Sequence, residues 1–191
     1  MNTTHGTSIN LDILAKLKLP PITQLGFIVQ SIDESSRFYG SLFNIKKWYM
    51  TQMVESEYRF RGTAIDMSID IAVGYSGKMQ VELIQVRGND INVYYEYLGR
   101  EGFGFHHFGV VVGNLEKYKE RMVKAGIQPL QEGTLKYGGG GGTRFAYMDT
   151  MASSGCIVEL IETKAFGLNF GMPQWLVSLG RITGDTVSIK V

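Results

Sequence analysis

Hydrophobic and polar positions along the chain change period several times, and the changes repeat. Gln24-Leu25-Gly26-Phe27-Ile28-Val29 is a short apolar run, and Ser31-Ile32-Asp33 after it opens a helical pattern through Phe38, Tyr39, Leu42 and Phe43. The same order returns in Gly102-Phe103-Gly104-Phe105-His106-His107-Phe108-Gly109-Val110-Val111-Val112. There Asn114 is the cap, Leu115, Tyr118, Met122 and Val123 form the helical stripe, and Gly126 is the stop. Superposing the two runs puts Gln24 on His107, Gly26 on Gly109 and Val29 on Val112. Met79-Gln80-Val81-Glu82-Leu83-Ile84 likewise matches Cys156-Ile157-Val158-Glu159-Leu160-Ile161. Two copies of one strand-helix-strands unit are predicted, and that internal repeat sets the architecture.

Between these anchors the pattern predicts further elements. Residues 22–29 read as a strand, 31–43 as a helix and 45–61 as an aromatic-rich stretch with Trp48, Tyr49, Tyr58 and Phe60. Ala64 to Val73 alternates strictly, which predicts a strand with Ile65, Met67, Ile69 and Ile71 packed under helices. Its other face, with Asp66, Ser68 and Asp70, then meets water or a polar cavity. Gly74 to Gly77 reads as a turn before a strand over 79–86. Residues 91–101 read as a tyrosine-rich linker, and Arg144 to Asp149 with 156–162 as a second hairpin. Gly138 to Gly142 is five glycines in a row, predicted to be a mobile turn or one that orders around a ligand. It has no lysine or serine of a phosphate-binding loop.

The expected organisation is an N-terminal arm over 1–21, a repeat domain over 22–163 (copies 22–90 and 104–163) and a C-terminal extension over 164–191. Leu11, Ile13, Leu14, Leu17 and Leu19 give the arm a short amphipathic pattern that stops at Pro20-Pro21. Helical spacing follows Pro173 in the tail, with Trp175, Leu176 and Val177. Composition adds exclusions. The chain has 191 residues, a net charge of +1 and no run of like charges, so neither nucleic acid nor a membrane surface is an expected partner. Cys156 is the single cysteine, which rules out an internal disulfide. With no leader pattern and no long apolar run, the expected location is the cytoplasm.

If the repeat curls into a sheet with helices outside, Gln24 and His107 stand at equivalent strand starts. Glu82 and Glu159 then stand at equivalent points on the closing strands. A glutamate amid Val, Leu and Ile is costly to bury unpaired, and two at matched positions point to a ligand role. One imidazole, two carboxylates and one amide suit a divalent ion such as Zn, Co, Ni or Mn. Strand alternation assigns His107 rather than His106 to this face. Asp66 and Asp70, on the face assigned to the cavity, are candidate second bases. Arg59, Arg61, Arg100 and Arg144 are candidates for a carboxylate or phosphate of a carrier.

These motifs resemble the vicinal oxygen chelate superfamily, which includes glyoxalases and bleomycin-resistance proteins, over roughly residues 22–163. Gly102 to Val110 and Val158-Glu159-Leu160-Ile161-Glu162 are most similar to methylmalonyl-CoA epimerases and glyoxalase-like relatives. The resemblance implies an α+β fold: two βαβββ modules in a curled mixed sheet with outer helices and an enclosed metal-site cleft. It implies a metal bound by Gln24, Glu82, His107 and Glu159. Epimerases have histidine at the first of these, whereas the order Gln, Glu, His, Glu resembles glyoxalase I of the eukaryotic type. Ring-cleaving dioxygenases are set aside, because their iron site needs two histidines and one carboxylate.

The function expected is a metal-dependent isomerase or epimerase that moves a proton next to a carbonyl, with the enolate stabilised by the metal. The expected substrate is a small carbonyl compound such as an acyl-CoA, and Glu159, Asp70 or Asp66 handles the proton. The alternatives are a glyoxalase I-type lyase acting on a thiol adduct, and a metal-free small-molecule binding protein. A homodimer is implied by resemblance.

Overall fold

The computed structural model describes residues 9–165, 168–169, 173–174, 177–178, 180 and 184–189. The first module consists of β1 (Gln24–Ile28), α2 (Ile32–Phe43), β2 (Trp48–Thr51), β5 (Ser68–Ser76) and β6 (Met79–Arg87). The second consists of β7 (Gly104–Val111), α4 (Leu115–Lys124), β8 (Pro129–Lys136), β9 (Gly142–Met148) and β10 (Ile157–Ala165). Ahead of them lies α1 (Leu11–Leu17). Inserted pieces are the hairpin β3 (Glu55–Phe60) and β4 (Thr63–Ile65), α3 (Val93–Glu101), α5 (Met151–Ser154), β11 (Leu168–Asn169) and β12 (Thr186–Ile189). Side chains cap the main helices: Ser31 for α2 and Asn114 for α4 each accept a backbone N–H of the first turn.

One mixed sheet runs in the order β12-β2-β5-β6-β1-β7-β10-β9-β8-β3-β4. Its centre is an antiparallel pair, β1 and β7, and each of these is flanked by a parallel partner, β6 and β10. The halves therefore mirror each other about the β1–β7 seam. The sheet must also curl. Thr51 ends β2 and Glu55 opens β3, so the chain can separate them by at most about 14 Å. Eight strand steps lie between β2 and β3 in the sheet order, about 38 Å if the sheet were flat. Only a half-barrel whose edges approach each other reconciles the two. The fold is α+β, with α1, α2 and α4 on the convex side.

Three apolar clusters follow from this shape. Inside the curl lie Tyr49, Tyr58, Ile69, Ile71, Val73, Tyr94, Phe145 and Tyr147 with their neighbours. Outside, α2 covers Ala72, Val81 and Leu83, while α1 and α4 cover Val110, Ala146, Met148 and Leu160. Asn10 caps α1 and ties its start to the Ala125 carbonyl at the end of α4.

Several expectations change here. The alternating stretch is broken between Ile65 and Ser68, and its strand continues to Ser76. Its faces are also reversed: Ile69, Ile71 and Val73 line the inside of the curl, because the cavity itself is apolar. Residues 91–101 hold a helix rather than a linker. Asn92 caps it by accepting from Tyr94 N and Tyr95 N, and Tyr94 and Tyr97 face inward. The glycine run is a turn, as expected, and joins β8 to β9 as a hairpin. Tyr137 and Gly141 bond across it, and Gly139 N–H donates to Asp185. Of the tail, Trp175 and Leu176 lie outside the described residues, while Val177 is buried in the inner cluster.

Candidate metal centre

The centre is built from two cross-strand rows on the inner face of the sheet. In one row Glu82, Gly26 and His107 stand side by side on β6, β1 and β7. In the other, Gln24, Gly109 and Glu159 stand side by side on β1, β7 and β10. Each row has a glycine in the middle, and the reason is steric. A Cβ on Gly26 would overlap the His107 imidazole, and a Cβ on Gly109 would overlap the Gln24 amide. Each half thus supplies a bare patch of backbone on which the other half's side chain lies.

Three donor atoms converge there. His107 Nε2 lies 3.1 Å from Glu159 and 3.4 Å from Glu82, and one ligand atom from each residue falls within 4.8 Å of the others. The imidazole is fully buried, and the two carboxylates are 12% and 7% exposed. Despite the short distances, His107 Nε2, Glu159 Oε2 and Gln24 Oε1 are buried with no hydrogen-bond partner. Buried polar atoms left without partners are costly, and a cation among them satisfies all three at once. Two carboxylates, an imidazole and an amide oxygen fit a divalent ion, so the residues present fit the group the sequence led us to expect.

Neighbouring groups hold these donors in place. Gln24 Nε2 donates to Gln80 Oε1 (2.8 Å), and Gln80 Nε2 donates to the Tyr75 hydroxyl (2.7 Å). Gln80 must present its oxygen to Gln24, which leaves the Gln24 oxygen to face the cavity. Behind His107 sits His106, with 3.0 Å between the two Nδ1 atoms. Strand alternation would send His106 to the opposite face. Instead the register slips there: Gly26 faces His107 and Phe27 faces Phe105, so His106 is the extra residue of a β-bulge. Its ring is enclosed by Tyr94, Tyr97 and Tyr147. Burial, helped by the His107 charge, pushes the His106 pKa well down, and a neutral His106 can accept a proton from His107 Nδ1 at that 3.0 Å contact. With His107 as the donor of that pair, its lone pair is on Nε2, toward the carboxylates.

Electrostatics agree with the geometry. Burial alone would lower His107, but the charges of Glu159 and Glu82 prevail and push it up to about 9. Burial raises Glu159, against the pull of the His107 charge. With no ion bound, a proton on His107 takes the place of the cation.

The structure does not bring Asp66 or Asp70 to this centre. Asp70 sits on the convex face in a 2.6 Å ion pair with Arg87. Asp66 lines an open groove with Glu116 and Lys119. The face reversal of β5 accounts for Asp70, and Asp66 lies in the break between β4 and β5. Of the four candidate arginines, Arg100 is exposed on α3 and the other three are engaged away from the centre. Arg144 pairs with Glu116 and Glu162, Arg61 with Glu96, and Arg59 donates to the Gly62 carbonyl. Sequence reasoning missed Gln80, His106, Tyr94 and Tyr147. Gln80 was findable, since it shares a strand face with Glu82; the bulge at His106 has no local sequence signal.

A model of the glyoxalase/bleomycin resistance protein/dioxygenase superfamily matches residues 23–147. The chain belongs to this superfamily. No curated protein matches the sequence. Solved structures share the superfamily fold at low identity. A hypothetical protein from Bacillus halodurans C-125 aligns at TM-score 0.57 and 19% identity, over 78% of this chain and 98% of that one. Methylmalonyl-CoA epimerase from Mycobacterium tuberculosis aligns at 0.51 and 16%, over 75% and 87%. A Streptomyces coelicolor methylmalonyl-CoA epimerase in complex with 2-nitronate-propionyl-CoA aligns at 0.52 and 15%, over 75% and 97%. Identities this low carry the glyoxalase/bleomycin-resistance fold and nothing about the reaction.

Proposed function

We propose that the protein is a metal-dependent isomerase or epimerase that enolises a carbonyl substrate. The observation that carries this reading is the convergence of His107 Nε2 with Glu82 and Glu159 in a buried pocket where His107 Nε2, Glu159 Oε2 and Gln24 Oε1 lack hydrogen-bond partners. Gln24, Glu82, His107 and Glu159 would hold a divalent ion, one of Zn, Co, Ni or Mn. When bound, such an ion supplies a Lewis acid for a carbonyl oxygen.

The chain's own groups do the rest. Glu159 is the base: it is buried, its pKa is raised, and it lines the cavity into which a substrate must project. Glu82 is its counterpart across the seam and also lines the cavity, so the two carboxylates approach from different halves of the sheet. That disposition suits removing a proton from one side of a planar enolate and returning it from the other. The phenols of Tyr94 and Tyr147 lie 2.9 Å apart, and burial keeps both protonated, so they are hydrogen-bond donors beside the carboxylates and not bases. The surrounding walls are largely aliphatic and aromatic, and the low local dielectric they create strengthens each of these interactions.

Solvent-deuterium incorporation tests this reading. The metal-loaded protein is expected to exchange the α-proton of a carbonyl compound, and Glu159→Gln to slow that exchange by about 10²–10⁴-fold. Unchanged exchange in Glu159→Gln, or none from any carbonyl compound in a broad panel, would overturn it. The lyase alternative predicts that turnover requires added thiol. A metal-free binding protein would keep its ligand affinity in His107→Ala.

A further inference from the structure

The cavity beside the centre is narrow. Only about 30 Å³ of it admits the centre of a water molecule, which is room for roughly two or three waters. Pockets that hold organic ligands run to about 300–1,000 Å³. Whatever reaches the centre, ion or carbonyl compound, therefore needs part of the wall to move. The long walls are poor candidates, since β5 pairs along its length with β6, and β9 with β10. Helix α3 is equally fixed. Its Val93 N–H donates to the buried Gln131 side chain, the Tyr94 hydroxyl bonds that of Tyr147, and Tyr97 donates to the Phe105 carbonyl.

The junction between the two ends of the sheet is different. There the chain crosses from Thr51 of β2 to Glu55 of β3, and the turn between β8 and β9 lies against it. Thr51 and Tyr137, on either side of this junction, both line the cavity. Gly139 N–H donates to Asp185 Oδ1 (2.9 Å), and Asp185 stands just before β12, on the β2 side. The Asp185 carbonyl accepts from Gln52 N–H (2.7 Å), and the Lys136 carbonyl accepts from Val54 N–H (3.0 Å). The tail adds a further tie, because Thr186 Oγ1 donates to the carbonyl of Val177, which is buried in the inner cluster. A carboxylate thus holds the glycine turn across the junction. The five glycines from Gly138 to Gly142 bring no side chain to pack, and each has many other conformations open to it, so the turn depends on that outside bond. Tyr137 opens the turn and its hydroxyl reaches Thr143, so displacing the turn carries away part of the cavity lining.

We propose that Asp185 and the glycine turn form a gate: release of the Gly139–Asp185 bond swings Tyr137 outward and opens the cavity to a divalent ion and then to a carbonyl substrate. The gate rests on the metal centre proposed above, not on which reaction that centre supports. It divides the work between two sets of residues. Gln24, Glu82, His107 and Glu159 set how tightly an ion is held, and Asp185 sets how fast it comes and goes. Lids of this kind sequester a reaction from water while they are shut.

Zinc exchange on the full-length protein tests the gate without a substrate. Zinc-loaded protein is mixed with excess 4-(2-pyridylazo)resorcinol, and zinc transfer is followed by absorbance. Asp185→Ala removes the acceptor and is expected to speed transfer at least about tenfold, the effect of losing one hydrogen bond to a charged group. Its equilibrium zinc affinity is expected to stay within about threefold of the wild type, because uptake accelerates as much as release. Asp185→Asn keeps an acceptor oxygen and is expected to keep the slow rate. The wild type is expected to release zinc at a rate independent of chelator concentration. An Asp185→Ala protein that exchanges zinc at the wild-type rate would overturn the gate and leave the centre standing. So would a wild-type rate that climbs in proportion to the chelator, since the chelator would then reach the ion through the closed wall. Faster exchange matched by an equal loss of affinity would also overturn it, by tracing the effect to the centre. A wild type that takes up no zinc would overturn the centre and the gate together.

Discussion

Gly26 and Gly109 explain why the centre can exist at all. Each is where a ligand side chain from the opposite half rests, so each fixes a donor by absence of a side chain. The His107 ring has no room to retreat, because it is fully buried against Tyr147 and His106. Gly26→Ala is therefore expected to destabilise the protein by about 1–3 kcal/mol and to abolish tight metal binding. Thermal denaturation and zinc titration check this, and a variant that binds zinc normally would contradict it. Gln80 acts one step further out. Gln80→Leu frees the Gln24 amide to turn and is expected to weaken zinc binding about 10–100-fold. Protonation gives a third expectation. With its pKa near 9, His107 carries a proton at pH 7.5 in the metal-free protein, and zinc must displace it. Calorimetry in buffers of different ionisation enthalpy should show release of about one proton. The sign for stability follows from the same value. The folded pKa lies above the ordinary 6.5, so in chelator-treated protein this contribution is complete below about 6.5. It is lost as the pH rises through about 9.

At the scale of elements, the repeat was legible because helical and strand periods recur in the same order with the same glycine. Gln24 over His107 and Glu82 over Glu159 came from that superposition, and the structure places all four around one seam. The face of β5 was misjudged for a physical reason. Alternation tells which residues share a face but not whether the enclosed side is a packed core, water or an apolar cavity. Helix α3 was missed because four aromatic and β-branched residues lower its helix propensity, and the Asn92 cap with inward Tyr94 and Tyr97 overrides that. Asn92→Ala removes the acceptor for two backbone N–H groups and is expected to cost about 1 kcal/mol. Because Tyr94 and Tyr97 enclose His106, the same change should also weaken zinc binding, and a purely local effect on stability would contradict that link. The bulge at His106 was invisible in sequence, since it depends on the register with β1.

For the whole molecule, the curl is what turns two separate glutamates, a histidine and a glutamine into one centre. The β3–β4 hairpin crosses from the first module to pair with β8 of the second, and β12 covers the edge of β2. These additions extend the sheet at both ends, so that its edges are the short strands β12 and β4. Among the described residues no helix is long and apolar enough to cross a membrane. Metal binding is the property on which the centre depends. Elemental analysis of the purified protein after incubation with Zn, Co, Ni or Mn is the most direct measurement. One divalent ion per chain is expected in the wild type, with loss in both His107→Ala and Glu159→Ala. A wild type that retains none of the four ions, or variants that retain the ion as well as the wild type, would contradict the proposed centre.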